Sequence, residues 1–396
     1  MDIDQKLRSR IAPIGLAACA VISAVMWVLK PIPHGYRYDL AFVLSVSLAV
    51  IGLMFGASPG LMFKKVTLAV VLVLGLALGL RTLAKPDFNL EIVRHYESVF
   101  KAIDSGGNPY TSGTIFHMGE GGQTVYGNFN YPPVEIYPYY LAYRIAGTWN
   151  SVVFTATVLL LNALCCLVFV LMFPRIRWPY LIPYFLVFLF LEVKTNPAMA
   201  FLVTALILLL VRLDARRPRP AYRYFIAVLF GVGLATKFFV IPLMAAYYWH
   251  KFDLKKLRSL ALVVPDVAMA MATTVLIMLP YGVAAVFKNT ILFNLVLKDR
   301  AVLTTFYPNV LSGLFTWLNL SDLYPAAAIL ILGLSILVAP KLNVYSAMLA
   351  ATLTFLLVAP TPRAQFVPVV IYLALTGILA NLQKQGKIPV EARAEG

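Results

Sequence analysis

Residues 152–173 read VVFTATVLLLNALCCLVFVLMF, 22 positions without one Asp, Glu, Lys or Arg. As a helix this run is about 33 Å long, enough to cross a hydrocarbon core of about 30 Å. In lipid every backbone N–H and C=O must be satisfied within the chain, so a helix is the form such a run takes. The period-two alternation of a transmembrane barrel strand is absent. Comparable runs with almost no charge lie at 66–84 and 260–279. Over the 396 residues, 61% are hydrophobic and 13% charged. A soluble domain of that size has too little interior to hide so much apolar surface. The expected fold is an all-α polytopic membrane protein of about twelve segments, forming one integral membrane domain over 1–396.

Charge placement orients the chain. Stretches 1–10, 58–65, 174–178, 212–223, 250–258, 340–343 and 383–396 hold 20 of the 33 Lys and Arg. The opposite loops are longer yet poorer in cations, which is the positive-inside pattern. The net charge of +16 is therefore read as topology, with some attraction to anionic lipid, and nucleic acid is excluded as a partner. The densest run, Arg212, Arg216, Arg217, Arg219 and Arg223, is read as a cytoplasmic loop. Both termini are expected in the cytoplasm, including a tail at 383–396, in a cell membrane of prokaryotic type. Cys19, Cys165 and Cys166 lie in apolar blocks and form neither a disulfide framework nor a metal pattern. The first block, 11–29, is long for a signal peptide and is read as a retained helix.

Segments are expected at 11–30, 40–57, 66–84, 151–173, 179–192, 196–211, 259–280, 325–339, 344–359 and 366–382. The stretch 224–250 is basic on both flanks, so it must cross an even number of times. Its 27 residues allow only two short helices, 224–235 and 239–250, meeting at Thr236–Lys237. Each is about 18 Å long, too short for a comfortable span. Lys237 then lies deep in the membrane on the outer side. Asp266, after Pro265, is read as solvating a helix end.

One long polar stretch, 85–150, is assigned to the outer face, with a second outer loop at 281–323. Within the first, Phe88, Val93, Tyr96, Val99, Phe100 and Ile103 recur at roughly helical spacing. They predict an amphipathic helix over 87–104 lying on the membrane. Pro86 suits its first turn, and Asp87 and Glu91 share its polar face with Arg94 and Ser98. Gly106-Gly107-Asn108-Pro109-Tyr110 is a turn signal. Tyr131-Pro132-Pro133 then leads into a second amphipathic stretch, 134–146. Long ordered loops are often functional. His95 and His117 share this loop without a fixed spacing, so no obligatory metal is expected.

Several of these elements resemble polyprenyl-phosphate-sugar-dependent glycosyltransferases of the GT-C superfamily. They are most similar to glycosyltransferase family 87, which includes the mycobacterial α-1,2-mannosyltransferases. The resemblance rests on the acid opening the juxtamembrane helix (Asp87 or Glu91), on Gly106, Pro109 and Tyr110, and on Tyr131-Pro132-Pro133. Downstream it rests on GVGLATK at 231–237 and NVLSG at 309–313. An extra hairpin precedes the long loop, and the stretch 359–366 replaces the late turn of that family.

The resemblance implies an inverting hexosyltransferase, with mannose as the best guess. The sugar would pass outside the cytoplasm from a polyprenyl phosphate to a hydroxyl of a lipid or glycan acceptor. Asp87 or Glu91 would be the general base, a choice left open. Lys237 and Arg363 would bind the donor phosphate, and Arg94, Tyr131, Lys298, Asn309 and Gln365 would line the substrate pocket. No cofactor is implied, since the lipid-linked sugar is a substrate; membrane lipids are partners, and the oligomeric state is left open. Two other readings remain: a twelve-segment transporter or lipid flippase, suited by an intramembrane Lys at a broken helix, and a non-catalytic scramblase or assembly subunit.

Overall fold

The computed structural model describes residues 90–118, 124–174, 182–190, 197–251, 257–292, 323–337, 343–358 and 366–384, with a few single positions around 72–80 and 315–320. The segments expected at 11–30 and 40–57, and most of those at 66–84 and 281–323, lie outside the described residues. The described chain is mostly helical. Among the described residues, three helices are long and apolar enough to cross a membrane: Ser151–Met172, Ala198–Arg216 and Val263–Tyr281.

Among the described residues, the elements before Ser151 come first. Helix α1 (Leu90–Asp104) leads to an antiparallel hairpin of β1 (Ile115–Met118) and β2 (Thr124–Gly127), paired Ile115 to Gly127 and Met118 to Thr124. Helix α2 (Ile136–Ala146) follows. The bundle is built from α3 (Ser151–Met172), α4 (Ile182–Phe190), α5 (Ala198–Arg216), α6 (Pro220–Leu234), α7 (Val240–Lys251) and α8 (Leu257–Met278). Short α9 (Val283–Phe287) precedes α10 (Tyr324–Leu337), α11 (Val344–Val358) and α12 (Val367–Lys384). The most extensive pairings are α6 with α8, α3 with α5, and α7 with α11.

The short pair expected in 224–250 is present as α6 and α7, with the break at 235–239. Three expectations are corrected. First, between its two helices the loop carries the β1–β2 hairpin, for which the sequence reading assigned no element. Second, α1 does not lie on the membrane through its apolar face. Val93, Tyr96, Val99 and Phe100 are buried in protein. Tyr96 lies 4.7 Å from Tyr139, Phe100 stacks on Tyr143 at 5.2 Å, and Trp149 Nε1 donates to Val93 O at 2.9 Å. These rings belong to a core that the loop shares with Phe154, Val158 and Leu161 of α3 and Met278 of α8. At the far end of α1, Asp104 accepts from the Tyr140 and Tyr143 hydroxyls at 2.7 and 3.2 Å, fixing α1 to α2.

Third, two residues assigned to solvated ends are internal. Helix α5 continues to Arg216, and Arg212 is buried, its Nε donating to Met172 O at 2.7 Å. It satisfies a carbonyl that the end of α3 leaves free. Asp266 lies well inside α8, buried, with both carboxylate oxygens accepting from Arg223 Nε at 2.7 and 2.8 Å. A charge at that depth persists only with a partner, and the arginine-rich stretch supplies it. At the other end of α3, Asn150 caps the helix by accepting from the Val152 and Val153 N–H groups, both at 3.0 Å.

Helix α2 turns Tyr137, Leu141 and Ile145 outward, four residues apart and exposed. They form one apolar row along the helix.

Candidate functional site

The Tyr-Pro-Pro segment and the break between α6 and α7 meet. Pro132 is extended, and Pro133 opens a 3-10 turn over Pro133–Glu135, where a residue without an N–H costs nothing. Val134 N–H then donates across to Ala235 O at 3.0 Å. On the far side α6 unwinds: the N–H groups of Thr236 and Lys237 both return to Gly233 O at 2.9 Å. The two glycines allow this packing. A Cβ on Gly233 would press on Val240 at 2.8 Å, and one on Gly231 would overlap α8.

Lys237 is buried, 5% exposed. Its Nζ sits 3.8 Å from the centre of the Tyr131 ring and 3.9 Å from Glu135 Oε1. The ring face gives it a cation–π contact. Glu135 is completely buried, and neither carboxyl oxygen has a hydrogen-bond partner. Burial pushes its pKa up to about 8, against the opposing pull of Lys237. At neutral pH the acid is therefore mainly protonated.

Two imidazoles adjoin this pair. His95 is buried, and its Nδ1 lies 2.6 Å from Phe116 O. Burial first, then His117, drives its pKa down to about 3. The neutral ring donates from Nδ1 to that carbonyl, leaving Nε2 as an acceptor with no partner. Its ring lies 5.5 Å from Tyr131 and 4.9 Å from His117. Burial also lowers the pKa of His117, whose Nε2 contacts Asn128 O at 2.9 Å. Asn130 Oδ1 is likewise buried without a partner. Orphaned buried polar atoms are rare, and of the seven among the described residues four belong to His95, Asn130 and Glu135. Among the described residues, no three His, Cys, Asp or Glu side chains converge as a metal site.

His95 carries a stability prediction. Its folded pKa lies below that of the unfolded chain, so the unfolded state takes up a proton that the folded state refuses. The protein should lose stability as pH falls from about 6.5 toward 3. His95→Gln should flatten that acid limb in thermal unfolding followed by circular dichroism, whatever it does to the midpoint at pH 7.

The Gly-x-x-Pro-Tyr element acts as a strut. Asn108 Oδ1 accepts from Tyr110 N–H at 2.9 Å, and its Nδ2 donates to Tyr281 O at 2.7 Å. Asn289 Nδ2 donates to Tyr110 O at 2.8 Å, and Tyr110 OH donates to Tyr131 O at 2.7 Å. The turn thus ties the residues following α8 to the backbone at Tyr131.

Of the residues singled out in the sequence, Tyr131 and Lys237 come together. Glu91 is exposed in the first turn of α1. Arg94 is exposed on the same helix and lines a cleft of about 560 Å³ between α1 and the hairpin, with Glu97, Ser98, Lys101, Thr124 and Tyr126. Asp87, Lys298, Asn309, Arg363 and Gln365 lie outside the described residues. Sequence reasoning missed Glu135. Its signal was a lone acid in an apolar run two residues after the Tyr-Pro-Pro motif, where a carboxylate needs a reason to be.

No protein-family model, curated protein or solved structure matches the chain.

Proposed function

We propose that this protein is a polytopic membrane glycosyltransferase that uses a polyprenyl-phosphate sugar. In this reading the chain crosses the membrane through about twelve segments, keeps both termini in the cytoplasm and works on the outer face. The observation that carries the reading is the contact between Tyr131 and Lys237 at 3.8 Å. Two motifs more than a hundred residues apart, each matched to the same family by resemblance, prove to be neighbours. A buried cation at a break between two short apolar helices suits a site for the phosphate of a lipid anchored alongside.

The acceptor hydroxyl attacks the anomeric carbon of the sugar from the face opposite the phosphate. A new carbon–oxygen bond forms as the bond to the phosphate oxygen breaks, with inversion. The leaving phosphate keeps the bonding electron pair, and its charge is stabilised by Lys237, with Arg363 as a second cation. The hydroxyl proton passes to a carboxylate, Asp87 or Glu91. The cleft beside Arg94 receives the polar part of the acceptor.

The test is transfer of radiolabelled sugar from synthetic polyprenyl-phosphate donors to a panel of lipid acceptors by the purified protein. Asp87→Asn or Glu91→Gln should reduce turnover by about a hundredfold or more for whichever acid is the base. Full activity in both variants rules this mechanism out.

A further inference from the structure

We infer that His95 and His117 form a binding site for a divalent late first-row transition-metal ion, with Asn130 Oδ1 as the third protein donor. Both rings are held by backbone carbonyls. A carbonyl can only accept, so His95 carries its proton on Nδ1, 2.6 Å from Phe116 O. For the same reason His117 carries its proton on Nε2, 2.9 Å from Asn128 O. Burial lowers the pKa of each ring, so both are mainly neutral at pH 7, the form in which imidazole binds a metal. Each therefore keeps one lone pair, on His95 Nε2 and on His117 Nδ1. A backbone carbonyl on the other N–H is the usual support behind a metal-ligating histidine, because it sets the tautomer and orients the ring.

Helix α1 lies along the edge of β1 that β2 leaves free. Ser98 Oγ accepts from Phe116 N–H at 2.9 Å, and His95 donates to the carbonyl of the same residue. His117 leans the other way, its Nε2 edge resting against Gly127 and Asn128 at the end of β2. Its Nδ1 edge, across the ring, is turned toward α1. The two ring centres are 4.9 Å apart. With metal–nitrogen bonds of about 2.0–2.1 Å, an ion lies about 3.2 Å from each ring centre, and that separation gives an N–metal–N angle of about 100°, near the tetrahedral value Zn²⁺ adopts. His95 Nε2 and Asn130 Oδ1 are buried acceptors without a hydrogen-bond partner, and one ion would satisfy both. His117 is half-buried, which leaves a route in from solvent and a coordination position for water. Of the influences on the His95 pKa, Lys237 is the smallest, so its charge opposes an ion there only weakly. Imidazole nitrogens suit Zn²⁺, Cu²⁺ or Ni²⁺ better than Mg²⁺ or Ca²⁺. The donor set is two histidines and an amide, which is why it falls outside the pattern of three His, Cys, Asp or Glu side chains. An ion held here ties α1 to the hairpin and to the segment entering Tyr-Pro-Pro. It has no part in the proposed transfer step, so its site stands or falls separately.

The experiment uses the purified full chain in detergent micelles, without a histidine tag and treated with a chelator. Zn²⁺ titrated by calorimetry should bind at about one ion per chain and raise the thermal midpoint. His95→Gln and His117→Gln should each weaken binding by about a hundredfold or more and abolish the rise in midpoint, with size-exclusion profiles checking that both fold. Asn130→Ala should weaken it by about tenfold. The double variant His34→Gln/His250→Gln removes the other two of the four histidines and should bind as wild type does. Cu²⁺ is the spectroscopic probe, and electron spin-echo modulation should count two coordinated imidazoles in wild type. Five results each overturn the inference: no Zn²⁺ binding below about 1 mM, affinity unchanged in any of the three single variants, binding lost in the double variant, a midpoint that Zn²⁺ leaves unmoved, or one imidazole or none in wild type. The imidazole count needs no variant, so it decides even where a substitution fails to fold.

Discussion

Gly231→Leu is expected to leave little or no folded protein in detergent extracts, judged by size-exclusion profile and thermal midpoint. A Cβ at this position would overlap Ala270 O and come within 2.6 Å of Thr273 Cβ and 3.0 Å of its Cγ2. The nearest obstacle is a backbone carbonyl on α8, which no side-chain rotation can move. Thr274 Oγ1 also donates to Gly231 O at 3.0 Å, drawing the two helices together at this level. Close approach through small residues is how apolar helices pack when lipid offers no hydrophobic drive between them. Overpacking by a leucine should cost about 3 kcal/mol or more. Even Gly231→Ala should lower the midpoint. Pairing it with Thr273→Ala should recover only part of the loss, because only the Cγ2 contact is removed. A Gly231→Leu protein with the wild-type midpoint would show that α6 and α8 do not touch here.

The second large effect is on chemistry. Lys237→Met should lower transfer from a polyprenyl-phosphate sugar by about a hundredfold to a thousandfold, as expected when one charge-stabilising donor is lost. Stability should change far less. The partner acid has its pKa pushed up to about 8, so at pH 7 it is already mainly neutral and is not stranded as a buried anion. Lys237→Arg should rescue only in part, because a planar guanidinium on a longer side chain places its charge differently from the compact ammonium 3.8 Å from the Tyr131 ring. Unchanged kcat and KM for the donor in the methionine variant would remove Lys237 from the site.

The sequence was most informative where a rule of parity or period applied. Basic flanks around 224–250 required an even number of crossings, and the break between α6 and α7 falls within two residues of the expected one. The apolar spacing of Val93, Tyr96, Val99 and Phe100 identified the buried face of α1, though not what would cover it. That cover comes from Tyr139, Trp149 and Phe154, on elements that periodicity cannot connect to α1. The hairpin was missed because each strand has only four residues, too few for alternation to stand out. Its Gly-rich connection was nonetheless the expected signal. Glu135 was missed and Asp266 misplaced for a shared reason. A lone acid in an apolar stretch looks like a surface exception until its cation is known, and those cations lie 102 and 43 residues away.

The outward row on α2 bears on the depth of the Tyr131–Lys237 contact. Tyr137, Leu141 and Ile145 are 43%, 60% and 78% exposed, on a helix joined through the 3-10 turn to Glu135. Beside a bilayer such a row behaves as a float, settling at the depth where its apolar side leaves water. Because the float and Tyr131 share one short stretch of chain, bilayer thickness is expected to be a variable of the proposed transfer reaction. Lipids with shorter acyl chains would change the height of the float relative to the break between α6 and α7, and with it the reach of an anchored phosphate.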